Sequence, residues 1–238
     1  MPNYVPPKTD TERLNFLRTA AQTAAIDYAN SVEYISRDNF LELEAFLPQF
    51  DEAFLDVAET FGQHNKEVEE REEALDRLKQ VIDDMWEVVR RRVRRQNEPV
   101  GVLRFYYLEP DGSEPNPDAL DGWFELAEKI IAGDADATSA GYAAAVCPSA
   151  DELTNALAAA RKEASDVIPA DEAHDRAQTA IDALRAQADE LIADVMEELR
   201  FHLRKEESSS QRRVMRTYGA HFTYNPGDPR DMDDEDAL

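Results

Sequence analysis

Five guanidinium groups within six residues, Arg90-Arg-Arg-Val-Arg-Arg95, are the densest run of reactive side chains in the chain. Arg200, Arg204, Lys205, Arg212, Arg213 and Arg216 echo it more thinly. Such clusters can hold phosphates or nucleic acid. Their setting argues for a structural role instead. Each closes a long helical pattern whose opening turns are acidic, with Glu67, Glu69, Glu70, Glu72 and Glu73 in one and Asp171, Glu172 and Asp175 in the other. This is the charge order that a helix macrodipole favours. Antiparallel packing of two such helices would also set each basic end against the other's acids. Polyanion binding through Arg90–Arg95 is therefore a lesser alternative.

The other reactive residues are sparse. His64, His174, His202 and His221 are well separated, and only Asp171 with His174 or Glu198 with His202 stand at helical-neighbour spacing. The paired Glu-x-x-His units of di-iron bundles do not occur. His202 falls near an apolar seam and reads as a core or boundary residue. Cys147, in Ala-Val-Cys-Pro-Ser, has no adjacent base to lower its pKa and reads as a packing residue. Glycine-rich phosphate loops and G-x-S-x-G elbows are missing. No catalytic, cofactor-binding or metal-ligating residue is assigned, and no cofactor is expected.

Composition sets the physical frame. The chain has 51 acids against 26 bases, a net charge of −25 and a pI near 4.4. A nonspecific polyanion binder of this charge would face repulsion almost everywhere on its surface. The bases comprise 20 Arg and only 6 Lys. Acid excess with scarce Lys suits concentrated salt, where self-repulsion is screened. A GC-rich genome would equally raise Arg and supply the 34 Ala, but not the surplus acid. With 42% hydrophobic residues over 238 positions, the chain can bury a real core as one domain or two associated halves. The single Cys147 permits no intramolecular disulfide. The N-terminus does not read as a leader and no apolar run is long enough for a bilayer, so a cytoplasmic location is expected.

The elements that must position these residues are helical. A Pro-rich extended arm covers residues 1–8, and Thr9 with Glu12 forms a capping box. Leu14, Leu17, Ala21, Ala24, Tyr28, Val32 and Ile35 then mark one apolar stripe. A second helix starts at Asp38 or Asn39, is kinked or restarted at Pro48, buries Phe40, Phe46, Phe50, Phe54 and Phe61, and ends at Gly62. A third runs from about Asn65 to Gln96 with Leu75, Leu78, Ile82, Met85, Val89 and Val93 in heptad register. An aromatic extended segment follows through Gly112, and residues 113–117 form a linker.

The second half repeats this plan. Its helices start at Asp118 (carrying Leu120, Trp123, Phe124, Ala127, Ile130 and Ile131), at a Ser149–Glu152 capping box, and after Pro169. The last has the seam Ala177, Ile181, Leu184, Ala188, Leu191, Val195, Leu199 and His202. Leu75, Leu78, Met85 and Val89 match Ile181, Leu184, Leu191 and Val195 at a constant offset, and Val102-Leu-Arg-Phe-Tyr106 parallels Val214-Met-Arg-Thr-Tyr218.

The expected fold is all-α, a helical bundle of two degenerate three-helix repeats over 9–112 and 118–224. Each repeat is followed by a short extended segment, and the two segments can pair as a small two-stranded ribbon. Alternatively, Tyr218-Gly219 ends a short helix and only Ala220–Tyr224 is extended. Residues 225–238 form an acidic disordered tail. Phe105, Tyr106, Tyr107, Phe222, Tyr224 and the arm Tyr4-Val5-Pro6-Pro7 offer contact surfaces. The expected function is a non-enzymatic interaction or assembly protein that self-associates, its partner being protein rather than membrane or nucleic acid. The alternative is a ligand- or divalent-metal-binding protein or enzyme with an acidic site between the repeats.

Overall fold

The computed structural model describes residues 2–226 and 228. Apart from Asn225, Pro226 and Asp228, the expected acidic tail lies outside the described residues. The fold is predominantly helical with one small antiparallel sheet. In chain order the elements are β1 (Asn3–Val5), α1 (Asp10–Ala29), α2 (Arg37–Gln96), a 3-10 helix (Val100–Tyr106), α3 (Leu120–Ser139), α4 (Ala150–Leu203), α5 (Ser208–Thr217) and β2 (His221–Thr223). No helix among the described residues is long and apolar enough to cross a membrane.

Both capping boxes form. Thr9 Oγ1 accepts from the Glu12 amide while Glu12 Oε2 accepts from the Thr9 amide at 3.0 Å. Ser149 and Glu152 exchange the same pair of bonds at the start of α4. Three expected breaks do not occur. α2 runs through Pro48 and Gly62 as one 60-residue helix, and α4 runs through Pro169 for 54 residues. Pro48 is exposed, whereas Leu43, Phe46 and Phe50 around it are buried. The packing of that flank outweighs the missing backbone bond, which costs about 3 kcal/mol. α1 is shorter than its apolar stripe: it ends at Ala29, Ser31 turns the chain with φ 60°, and Ile35 is buried from outside the helix.

The ribbon has a different partner from the one expected. Residues 100–106 are 3-10 rather than extended, and Val214–Thr217 lies in α5. Gly219, at φ +93°, reverses the chain after α5, leaving His221–Thr223 to pair antiparallel with the N-terminal arm, Tyr4 opposite Phe222. A side chain at Gly219 would also meet the Phe16 Cα at 3.1 Å, so glycine is required both by its backbone angle and by this close approach.

The chain divides into two compact units that do not coincide with its sequence halves. Unit one comprises Met1–Thr60 and Asp175–Leu238. Its core joins Leu14, Phe16 and Leu17 of α1, Leu43, Phe46 and Phe50 of α2, Ile181, Leu191, Val195 and Leu199 of α4, and Tyr218. Unit two comprises Phe61–His174. Its core joins Leu78, Ile82, Met85, Trp86 and Val89 of α2 with Val102 and Tyr106, Phe124, Ala127 and Ile130 of α3, and Leu153, Leu157 and Ala160 of α4. Most of the heptad residues are thus buried as their spacing requires. His202 is exposed, and Leu203 takes the last seam position instead.

Each unit pins its short terminal helix with a tyrosine. In unit two, fully buried Tyr106 donates to Asp134 Oδ1 at 2.5 Å, the Ala145 amide donates to the same oxygen at 2.8 Å, and Trp86 Nε1 donates to the Tyr106 carbonyl at 2.8 Å. In unit one, fully buried Tyr218 donates to Asp27 Oδ2 at 2.6 Å. Burial first, and then the adjacent carboxylate, push both phenols well above the ordinary tyrosine range.

Candidate functional site

Two stretches of unit two bring imidazoles and carboxylates, side chains of the types that can ligate metals, onto facing helices. On α2, Phe61, His64 and Glu67 follow at three-residue steps and so share a face. On α4, Glu163 with Asp166 and Asp171 with His174 stand at the same spacing. The helices pack antiparallel here, which brings Phe61 and His64 to His174, and Glu67 to Glu163 and Asp166.

At the imidazole end, His64 Nε2 lies 3.7 Å from Asp171 Oδ1. The His64 and His174 rings are near-parallel, at 26° with centroids 6.4 Å apart. Phe61 lies 5.5 Å from the His174 ring and is 52% exposed. The buried Nδ1 of His64 has no hydrogen-bond partner. At the carboxylate end, one oxygen each of Glu67, Glu163 and Asp166 lie within 4.8 Å of one another, all half-buried. Lys162 Nζ approaches Glu163 at 3.0 Å and Asp166 at 2.9 Å, and its pKa is raised, first by Asp166 and then by Glu163. Oxygen donors of this kind suit hard divalent cations, whereas imidazoles suit Zn²⁺ and its neighbours.

Sequence spacing alone misses this convergence, because His64 and His174 belong to different halves of the chain. The antiparallel register of α2 and α4 is the signal that would reveal it. Of the helical-neighbour pairs seen in sequence, Asp171 lies against His64, Glu198 accepts from the Ser36 amide at 2.6 Å, and the exposed His202 packs against Phe201.

The arginine run is mostly consumed by nearby acids rather than by the acidic end of the opposite long helix. Arg92, 7% exposed, grips Glu98 with two bonds of 2.7 Å and donates to the Ala143 carbonyl. Arg90 pairs with Glu87 and Glu114, and Arg94 lies 3.7 Å from Glu87. Glu98 and Glu114 lie beyond the end of α2, so helix-based charge order could not reveal them as partners. Arg91 and Arg95 remain exposed, without an ion pair among the described residues. Cys147 is exposed rather than packed, on the rim of a cavity of about 380 Å³.

Contact surfaces named from sequence also separate. Tyr107 is exposed, Phe105, Phe222 and Tyr224 are half-buried, and Tyr106 is core, while on α2 the expected core residues Phe54 and Phe61 are half-buried and exposed, respectively. Val100, Leu103, Arg104, Tyr107, Leu108 and Pro110 line an open cavity of about 520 Å³ on unit two. Tyr107 follows the 3-10 helix in the left-handed region, φ 60°, and is 47% exposed, while Val100 is 48% exposed.

No family model matches the chain, and neither the curated proteins nor the solved structures contain a significant match. The class defined by its geometry is therefore a predominantly helical protein of two compact units, with a seam of imidazoles and carboxylates in one of them.

Proposed function

We propose that this protein is a non-enzymatic assembly module of the cytoplasm that self-associates through the apolar face around Val100 and Tyr107. The observation that carries the reading is electrostatic as much as apolar. On a chain of net charge −25, the cavity is lined mainly by Val100, Leu103, Leu108 and Pro110, and its charged lining residues, Arg104 and Glu109, cancel. A second copy meets the least repulsion at such a near-neutral patch, and half-exposed aromatic and aliphatic side chains give it area to bury. Tyr107→Asn tests this. Asn tolerates the left-handed backbone while removing the ring, so self-association should weaken at least tenfold by sedimentation velocity with the melting temperature little changed. Unchanged association would reject this face.

The same reading takes the chain as two degenerate three-helix repeats. Helices of 20, 60 and 7 residues are followed by helices of 20, 54 and 10, and the matched tyrosines Tyr106 and Tyr218 each bind an aspartate on a 20-residue helix. A second reading, divalent-cation binding at an acidic site between the repeats, is supported by the convergence of Glu67 with Glu163 and Asp166. It requires dose-dependent thermal stabilisation by Mg²⁺, Ca²⁺ or Mn²⁺ that monovalent salt at equal ionic strength does not reproduce.

A further inference from the structure

The imidazole end of the α2–α4 seam has a geometry that neither assembly nor the carboxylate trio explains. Two of the chain's four histidines, 110 residues apart in sequence, come together there, and one of them, His64, faces the Asp171 carboxylate. The 3.7 Å between His64 Nε2 and Asp171 Oδ1 exceeds a normal hydrogen bond, for which N···O is about 2.7–3.2 Å. It is close to the roughly 3.4 Å that separates two ligand atoms each about 2.1 Å from one tetrahedral ion. His174 stands on the same seam with its ring centroid 6.4 Å from that of His64, which sets a second imidazole beside this pair. Phe61 packs against the His174 ring with centroids 5.5 Å apart.

We propose that His64, Asp171 and His174 bind one borderline divalent metal ion of the Zn²⁺ or Ni²⁺ class, with water completing its coordination. Two imidazoles and one carboxylate favour these ions over Mg²⁺ and Ca²⁺, which prefer all-oxygen sites. Glu67, Glu163 and Asp166, further along the seam, add negative potential that draws cations toward it without supplying imidazole donors. Metal binding uses the lone pairs of unprotonated imidazole nitrogens, for which protons compete. The site stands apart from the two readings above, because its donors are not those of the carboxylate trio and it makes no use of the Tyr107 face.

The test is isothermal titration of the metal-stripped full-length protein with Zn²⁺ and with Ni²⁺, with Mg²⁺ as the control. The expected result is saturable one-to-one binding of Zn²⁺ and Ni²⁺ at pH 7.5. His64→Gln, Asp171→Asn and His174→Gln should each weaken it at least tenfold. All three positions are exposed or half-exposed, so these variants should keep the wild-type circular dichroism melt. Binding should persist in the Glu67→Gln/Glu163→Gln/Asp166→Asn variant and in a Cys147→Ser/His202→Gln/His221→Gln variant, which removes the exposed adventitious ligands. Absence of saturable binding would overturn the proposal. So would affinity that survives His64→Gln and His174→Gln, or that disappears with the carboxylate trio or with the adventitious set.

Discussion

Asp134 is a carboxylate only 6% exposed in unit two, held by the Tyr106 hydroxyl and the Ala145 amide. Tyr106→Phe removes one of these donors and leaves a buried charge under-satisfied, so it should cost about 2–3 kcal/mol in a denaturant melt. Tyr218→Phe removes the same bond from Asp27, which is half-buried and can recruit water, and should cost closer to 1 kcal/mol. Equal losses would contradict this ranking by burial. Asp10 makes a different kind of contact. It takes two bonds from Arg185, at 2.8 and 2.6 Å, and its pKa is held below the ordinary aspartate value, first by that hydrogen bonding and against the opposing effect of burial. A depressed folded-state pKa contributes stability above the unfolded pKa and loses it as pH falls through the folded one. Arg185→Gln should therefore destabilise by about 1 kcal/mol at pH 7, and the difference from wild type should begin to shrink below about pH 4 and vanish only once the pH is beneath the lowered folded-state pKa of Asp10. At this scale the sequence was half legible. Tyr106 and Tyr218 stood out as equivalent positions, but their aspartates lie on other helices with no fixed spacing to them.

Helix continuity was the least legible feature of the elements. Pro48, Gly62 and Pro169 are local breakers, and their effect was overridden by apolar residues on both sides that remain buried along one face. Because Pro48 is exposed, Pro48→Ala should restore a backbone bond without loss of packing and raise stability by about 1–3 kcal/mol. A destabilised variant would mean that the Pro48 ring makes a contact its exposure does not reveal. Gly133 marks a close approach inside an intact α3. A Cβ there would fall 1.6 Å from the Phe105 carbonyl oxygen, so Gly133→Ala must push the 3-10 helix off α3 at a cost of about 3 kcal/mol. The capping boxes at Thr9 and Ser149 and the heptad seams were read correctly, since they depend only on local spacing. The ribbon was not, because β1 and β2 lie at opposite ends of the chain and only the tertiary fold joins them.

For the whole molecule, each compact unit takes helices from both halves of the sequence, so neither half carries a complete core. Residues 1–115 alone should be aggregated or molten, and co-expression with residues 116–238 should restore a single cooperative melt. A monomeric 1–115 fragment with its own cooperative transition would contradict this. Helical class was legible from apolar periodicity. The convergence of His64, Asp171, Glu67 and Glu163 was not, because it depends on a register between two helices that sequence spacing does not encode. The central claim, that the molecule works by joining copies of itself, is tested most directly by sedimentation velocity of the full-length protein across a hundredfold concentration range, in high salt that screens its net negative charge. The account predicts a reversible, concentration-dependent shift from monomer to dimer or larger species, weakened by Tyr107→Asn. A single monomeric boundary at every concentration would contradict it.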